Sequence, residues 1–274
     1  MFVTLVEFPQ HTRLVDATQM IGARRLVEQG WDVCSSYLDG YFGETSCEAV
    51  EGFVRNVERA MATLPERCVV LTAGIPLRQR DSLRLVCHNA ASRGMGAVPI
   101  PYWFEDQSHP VPFDRRAHLA AFQGTVASNG SLRGAVVAGF DGCERSVCRV
   151  NEQYFHVLSD DERQSLSKSY WQLLSETQFS LCPRGDNCGS VRFYESLAAG
   201  CIPVLLADEA ELPLSRILPW DDMLVRVPEC DAKQWPEYVA RWRAKRTNEE
   251  RRSCRSTIAR LGMTGSTGRN SASS

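Results

Sequence analysis

Two arginines and a glutamate lie within one short stretch of this chain, in a pattern suited to binding a nucleoside diphosphate. Arg184 follows a short apolar run, while Arg192 and Glu195 are three residues apart and share one helix face. A guanidinium matches the geometry of a phosphate, and a carboxylate can accept hydrogen bonds from two ribose hydroxyls. We therefore predict that Arg184 and Arg192 bind a diphosphate and that Glu195 binds a ribose. The alternative interpretation is a surface ion pair between Arg192 and Glu195 on an ordinary amphipathic helix.

The residues around these side chains predict a strand, a turn, a helix and a second strand. An apolar strand over residues 179–182 precedes a polar turn that contains Gly185. Ser190 is a suitable N-cap for the helix, and Gly200 can end it before a strand over residues 202–207. Open α/β sheets bind ligands where the first strand of such a unit ends, and free N–H groups at a helix start favour an anion. The turn and the start of the helix are thus the predicted diphosphate site.

The same stretch resembles the C-terminal signature of the exostosin-like glycosyltransferases. The matching elements are a phenylalanine strand, Leu-Cys-Pro-x-Gly, Arg-Phe-x-Glu and Gly-Cys-Ile-Pro-Val, and the match continues over residues 179–229. Upstream, Phe122-Gln123-Gly124 resembles the Phe-x-Gly strand of the family, and Arg133 matches the arginine that follows it. The resemblance implies that Arg133 is a further ligand of the donor diphosphate.

A weaker resemblance in the N-terminal half suggests a catalytic base. Asp81 and His88 match a family segment of the form Arg-Asp-His-Phe ending in His-Asp, so both are candidates for deprotonating an acceptor hydroxyl. Ser82 and Asn89 stand where the family usually has histidine and aspartate, and an amide cannot take up a proton as a carboxylate can. The alternative is structural, with Asp81 capping a turn and His88 packed beside a strand.

The alternation of predicted strands and helices indicates the α/β class. The resemblance implies two Rossmann-like domains facing a cleft, the GT-B-type glycosyltransferase architecture, with a compact or trimmed N-terminal domain. We predict an acceptor-side domain over residues 1–116, a nucleotide-sugar-binding exostosin-like domain over residues 117–262 and a disordered tail over residues 263–274.

The function that the resemblance implies is transfer of a sugar from a nucleotide-sugar donor, a UDP-sugar, to a glycan acceptor with inversion at the anomeric carbon. The alternatives are a catalytically degenerate homologue that binds a nucleotide sugar or glycan, and a partner subunit of an active paralogue. A hetero- or homo-oligomer with a related glycosyltransferase is compatible with either. We expect no tightly bound cofactor and no required metal, because arginines and a helix dipole can stabilise a departing diphosphate.

The overall composition argues against nucleic acid as a partner. The chain has 31 basic and 33 acidic residues and a formal charge of −2, so it lacks a basic excess. The sequence contains no apolar segment long enough to span a membrane. The resemblance implies a Golgi location, with the anchor of the relatives not present in this chain, and a cytoplasmic protein is the alternative.

The 11 cysteines lack the paired spacing of a zinc site, and their odd number leaves at least one thiol outside any disulfide. Cys182 and Cys201 fall at neighbouring strand positions of the motif. They are predicted to form either a disulfide or two buried thiols. Cys143 and Cys148 are a second candidate pair, across a turn.

Overall fold

In the computed structural model, residues 107–154, 157–186, 188–215 and 218–247 are described together with four strands of the N-terminal part. The four strands are β1 Asp32–Tyr37, β2 Cys68–Ala73, β3 Leu85–His88 and β4 Val98–Pro99. They form a parallel sheet in the order β1-β2-β3-β4. His88 is the last residue of β3, and Asp81 lies outside the described residues.

Five further strands form a second sheet, and helices connect them. The strands are β5 His118–Thr125, β6 Ser146–Asn151, β7 Thr177–Pro183, β8 Ile202–Leu206 and β9 Val225–Arg226. The helices are α1 Gly130–Ala138, α2 Asp160–Ser175, α3 Val191–Ala198, α4 Trp220–Met223 and α5 Trp235–Ala244, with short 3-10 helices at Phe113–Arg115 and Glu229–Gln234. The chain divides into two compact units, Met1–Pro101 with Glu209–Ser215 and Tyr102–Asp208 with Arg216–Ser274.

The strand order of the second sheet creates a natural binding position. All neighbouring strands are parallel, in the order β6-β5-β7-β8-β9. The chain leaves β5 toward β6 on one side and then returns to β7 on the other side, so the order reverses between β5 and β7. Ligands of open α/β sheets bind at the carboxyl ends of the strands at such a switch point. The predicted α/β class is confirmed, and the parallel sheet is consistent with a Rossmann-like fold.

The main hydrophobic core lies on one face of this sheet. Alternate residues of each strand point to the same face, which places Phe122 of β5 and Phe179 of β7 in one cluster with α1 and α5. Trp235 of α5 is 1% exposed within this cluster. On the opposite face, the side chain of Gln123 donates to Ser169 of α2 at 3.3 Å. The sheet is therefore packed on both faces, as expected for parallel strands.

The predicted strand–helix–strand unit is present as β7, α3 and β8. Ser190 occupies the N-cap position of α3, with φ −146° and ψ 121°. The helix ends in a Schellman motif, because the N–H of Gly200 donates to Leu197 O at 2.9 Å and that of Cys201 to Ser196 O at 2.8 Å. Gly200 has φ +69°, a left-handed backbone that favours glycine.

Replacing Gly200 with valine should destabilise the protein by at least about 1–2 kcal/mol, because a β-branched residue is strained in the left-handed region. Urea unfolding followed by circular dichroism measures the effect. Gly200→Asn is the matched control, since asparagine tolerates this backbone conformation. It should lose less stability than Gly200→Val. Wild-type stability of Gly200→Val would contradict the observed helix end.

A buried arginine joins the end of α3 to the segment that precedes β5. Arg116 is 1% exposed, and its guanidinium donates to three carbonyl oxygens. Its Nε donates to Val111 O at 3.0 Å, its Nη1 to Thr177 O at 2.5 Å and its Nη2 to Ala199 O at 2.8 Å. Ala199 is the C-cap of α3, so this cation also satisfies the negative end of the helix dipole.

The predicted cysteine pairs are not disulfides. Cys182 and Cys201 are two buried thiols, which confirms that alternative over the bridge. The two sulfur atoms meet different partners, since Cys182 Sγ lies 3.6 Å from Ser196 Oγ and Cys201 donates to Leu174 O at 3.0 Å. The pairing of Cys143 with Cys148 is likewise wrong, because both are thiols.

Within the described residues, no helix has the combination of length and apolar character that crossing a membrane requires.

Candidate functional site

Arg133 connects the carboxyl ends of β5 and β7. It lies on α1, and its Nη1 donates to Thr125 O at 2.9 Å while its Nε donates to Arg184 O at 3.2 Å. Thr125 is the last residue of β5, and Arg184 is the first residue after β7. The guanidinium therefore spans the switch point of the sheet.

Arg192 approaches the same strand ends from the first turn of α3. Its Nη2 donates to the carbonyl oxygen of Gln123 in β5. Its guanidinium carbon lies 4.8 Å from the ring centroid of Phe122 and 5.8 Å from that of Tyr170. Its Nε is buried and has no acceptor among the described residues. Aromatic packing and the bond to Gln123 O thus fix the position of the guanidinium.

Two glycines leave room for these arginines. A Cβ on Gly124 would lie 2.7 Å from Arg192 Nη2, closer than real Cβ contacts allow. A Cβ on Gly185 would lie 2.7 Å from Ser128 Oγ and 3.4 Å from Arg133 Nη2. A side chain at Gly124 would therefore displace the guanidinium of Arg192, and one at Gly185 would displace the hydroxyl of Ser128.

The site brings positive charges together at some cost in free energy. Burial, and then the neighbouring Arg192, lower the pKa of Arg133 to about 10, against the opposing effects of Asp186 and Tyr154. Arg133 is still charged at neutral pH. Because like charges disfavour each other, a bound anion would relieve the repulsion between Arg133 and Arg192.

Glu195 is held by a tyrosine that the sequence did not indicate. Its carboxylate accepts a hydrogen bond from Tyr170 Oη at 2.6 Å. Burial raises the pKa of Glu195, while the Tyr170 hydrogen bond and the charge of Arg192 act in the opposite direction. Burial, and then the charge of Glu195, raise the pKa of Tyr170 well above its usual value, so the phenol stays protonated and donates. Arg192 and Glu195 are both half-buried and each binds another group, unlike an exposed surface ion pair.

Arg184 is positioned by carboxylates at the ends of β8 and β9. Its Nε donates to Glu229 Oε1 at 2.7 Å, and that oxygen also accepts the backbone N–H of Asp208 at 3.1 Å. The N–H of Glu229 donates in return to Asp208 Oδ1 at 3.2 Å. Hydrogen bonding to Glu229 raises the pKa of Arg184. Burial of Glu229 acts to raise its pKa, but the hydrogen bonds from Arg184 and from the Asp208 backbone, together with the charge of Arg184, lower it.

The start of α3 is compatible with an anion. The Ser190 side chain makes no capping hydrogen bond in the part of the chain that is described. N–H groups of the first turn are therefore not occupied by this hydroxyl, and they carry the positive end of the helix dipole. In the same described part, no group of three or more histidine, cysteine, aspartate or glutamate side chains is arranged to hold a metal ion.

The predicted diphosphate and ribose residues gather at one edge of the second sheet. They are Arg133, Arg184, Gly185, Ser190, Arg192 and Glu195. The side chains of the two candidate bases are not placed, since Asp81 lies outside the described residues and only the backbone of His88 is described. The sequence interpretation missed Tyr170, Asp208 and Glu229. The last two follow the ends of β8 and β9 by two or three residues, and strand-end position is the signal that could have indicated them.

The fold and this edge define a protein class, an α/β protein with a parallel Rossmann-like sheet whose switch point carries three arginines. Residues 80–241 of the 274 match the family model described as the Exostosin GT47 domain. The match covers more than half of the chain, and the chain therefore belongs to the exostosin GT47 family.

Three curated relatives illustrate the similarity. The Exostosin-1 homolog of Caenorhabditis elegans is 36% identical over 115 residues, covering 40% of this chain and 30% of that protein. Exostosin-1 of Drosophila melanogaster is 38% identical over 143 residues, covering 48% of this chain and 19% of that protein. The probable glucuronosyltransferase GUT1 of Oryza sativa subsp. japonica is 39% identical over 84 residues, covering 31% of this chain and 19% of that protein. The matched part is less than a third of each relative.

Proposed function

We propose that this chain is a glycosyltransferase that moves a sugar from a UDP-sugar to a glycan acceptor, and that the donor diphosphate binds at the switch point between β5 and β7. The observation that carries the proposal is the position of Arg133, which spans both strand ends beside Arg192 and Arg184. A diphosphate would accept charge-assisted hydrogen bonds from these guanidinium groups. Membership of the exostosin GT47 family supports the assignment to a glycosyltransferase.

The proposed reaction is a single displacement with inversion at the anomeric carbon. A base removes the proton of the acceptor hydroxyl, which attacks the sugar as the bond to the diphosphate breaks. The arginines and the N–H groups at the start of α3 stabilise the negative charge on the departing UDP. Glu195 is our candidate for the ribose, while Asp81 and His88 are our candidates for the base. His88 ends β3, and the carboxyl end of a parallel strand is a common place for reactive side chains.

Replacing Arg192 with alanine should weaken UDP binding by about 1.5–3 kcal/mol, the range for a hydrogen bond to a charged group, without unfolding the protein. Isothermal titration calorimetry with UDP and GDP measures the loss. Arg241→Ala is the matched control, because Arg241 also stacks on an aromatic ring, at 4.3 Å from the centroid of Tyr238, but lies on α5 and is exposed. The control should bind UDP as the wild type does.

The same titrations contain the results that would contradict the proposal. Failure of the folded wild type to bind UDP or GDP would overturn it. If Arg192→Ala lost folding while its folded fraction kept wild-type affinity, Arg192 would be structural. Binding of UDP-sugar without hydrolysis or transfer would favour the catalytically degenerate homologue, the second candidate, which Ser82 and Asn89 support because they replace the usual family residues.

The acceptor, donor sugar and cellular location follow from the same proposal. The name of the rice relative places UDP-glucuronic acid first among the donors to be screened. We propose glycans as acceptors, no required metal, and a Golgi location in which an oligomer with a related glycosyltransferase can form. Retention of transfer activity in the presence of EDTA and co-localisation of the tagged gene product with a Golgi marker are the expected results.

A further inference from the structure

Three exposed apolar side chains lie near the end of β6 and just after the strand ends, and we call them the rim residues. They are Val150, Tyr154 and Val157, which are 46%, 36% and 56% exposed. Val150 belongs to β6, and the backbone N–H of Val157 donates to Tyr154 O at 3.2 Å, which closes a turn. Tyr154 therefore lies between Val150 and Val157 in the chain, and all three side chains are exposed.

The rim residues lie at the edge of the sheet that carries the arginines. Asn151, the last residue of β6, pairs with Thr125 of β5, and Thr125 O is the acceptor of Arg133 Nη1. Tyr154 follows three residues later, on the carboxyl side of the strand. Tyr154 therefore follows the carboxyl end of β6, beside the end of β5 where Arg133 donates its hydrogen bond.

The chemistry of a nucleoside diphosphate matches this arrangement. Such a ligand has an anionic end, and a ribose connects it to a flat base with two apolar faces. Arginines suit the anionic end, while an exposed aromatic ring suits the face of the base. Stacking on a ring tolerates any base, because every base offers a π-face.

We propose that the ring of Tyr154 stacks on the nucleobase of the donor. This inference rests on the proposed function, because it requires the diphosphate to lie at Arg133. Tyr154 then contributes affinity for the nucleoside part of the donor, whereas the arginines contribute affinity for the diphosphate.

Titration of UDP and of inorganic pyrophosphate separates these two contributions, because pyrophosphate has no base. Tyr154→Ala should weaken UDP binding on the order of tenfold, within the range of base–aromatic stacking. It should leave pyrophosphate binding unchanged to within about twofold. Tyr154→Phe is the conservative variant, and it should keep wild-type affinity for UDP because it keeps the ring. Circular dichroism verifies that both variants are folded.

Each contrary result has a defined meaning. An equal loss for UDP and pyrophosphate in Tyr154→Ala would overturn the stacking role, since the tyrosine would then act through Arg133. Unchanged UDP affinity in Tyr154→Ala, together with loss of UDP binding in Arg192→Ala, would overturn this inference and leave the proposed function standing. A folded wild type that binds neither UDP nor pyrophosphate would overturn both.

Discussion

Replacement of the buried Arg116 by methionine should destabilise the protein by about 3 kcal/mol or more, because three carbonyl groups, two of them fully buried, lose their donor. Methionine keeps an unbranched apolar stem, so most of the loss should come from unsatisfied polar groups rather than from an empty cavity. The three acceptors are Val111, Thr177 and Ala199. Their distance from each other in the chain means that one side chain holds three separate segments together.

Urea unfolding followed by circular dichroism tests this expectation. Arg115→Met is the matched control, because Arg115 is the exposed neighbour and its loss should stay within about 0.5 kcal/mol. The stability of Arg116→Lys should fall between those of Arg116→Met and Arg115→Met. An ammonium keeps the charge but lacks the planar guanidinium that reaches separate acceptors. If Arg116→Met unfolded at the same urea concentration as Arg115→Met, the hydrogen bonds of Arg116 would contribute nothing to stability.

Truncation of Trp235 to alanine should cost about 3–5 kcal/mol of stability, the range for removing a large aromatic side chain from a core. Its ring centroid lies 4.8 Å from that of Phe140, and its Nε1 donates to Val136 O at 3.1 Å. The ring fits closely against the end of α1, because a Cβ on Gly139 would lie only 2.5 Å from Nε1. Removal therefore leaves both a cavity and an unsatisfied carbonyl.

The measurement is again urea unfolding, with Trp235→Phe as the comparison. Phenylalanine retains a ring but cannot donate to Val136 O, so it should lose less stability than alanine. If the two variants lost equal stability, the contribution of Trp235 would come from the indole N–H or from the shape of the indole ring, and not from the presence of a ring alone. A stable Trp235→Ala protein would show that α5 does not depend on this contact.

The strand–helix–strand unit was the part of the fold that the sequence predicted best. Its signals are local, since apolar runs, a polar turn and a glycine at the helix end each act over a few residues. The strand predicted over residues 179–182 extends over Thr177–Pro183, because strand pairing with β5 and β8 continues past the apolar run. The left-handed backbone of Gly200 was also predictable, because few other residues adopt it.

Contacts between distant segments were not predictable from the same signals. An arginine is usually exposed, so nothing in the residues around Arg116 indicates burial. The bond between Tyr170 and Glu195 joins α2 to α3, and that between Arg184 and Glu229 joins the ends of β7 and β9. Such pairs depend on how the elements pack. The choice between a disulfide and a buried thiol for Cys182 was left open for the same reason, because only packing places its sulfur against Ser196 of α3.

The position of Arg116 determines where a truncated protein can begin. The side chain lies ahead of β5 in the chain, yet it supplies the donor for the carbonyl of Ala199 at the far end of α3. A fragment that starts at Tyr102 keeps both Arg116 and its acceptor Val111. One that starts at His118 contains every strand of the second sheet but leaves the end of α3 unsatisfied. Autonomous folding of the unit that contains the second sheet should therefore require the segment over residues 111–117 as well as the sheet.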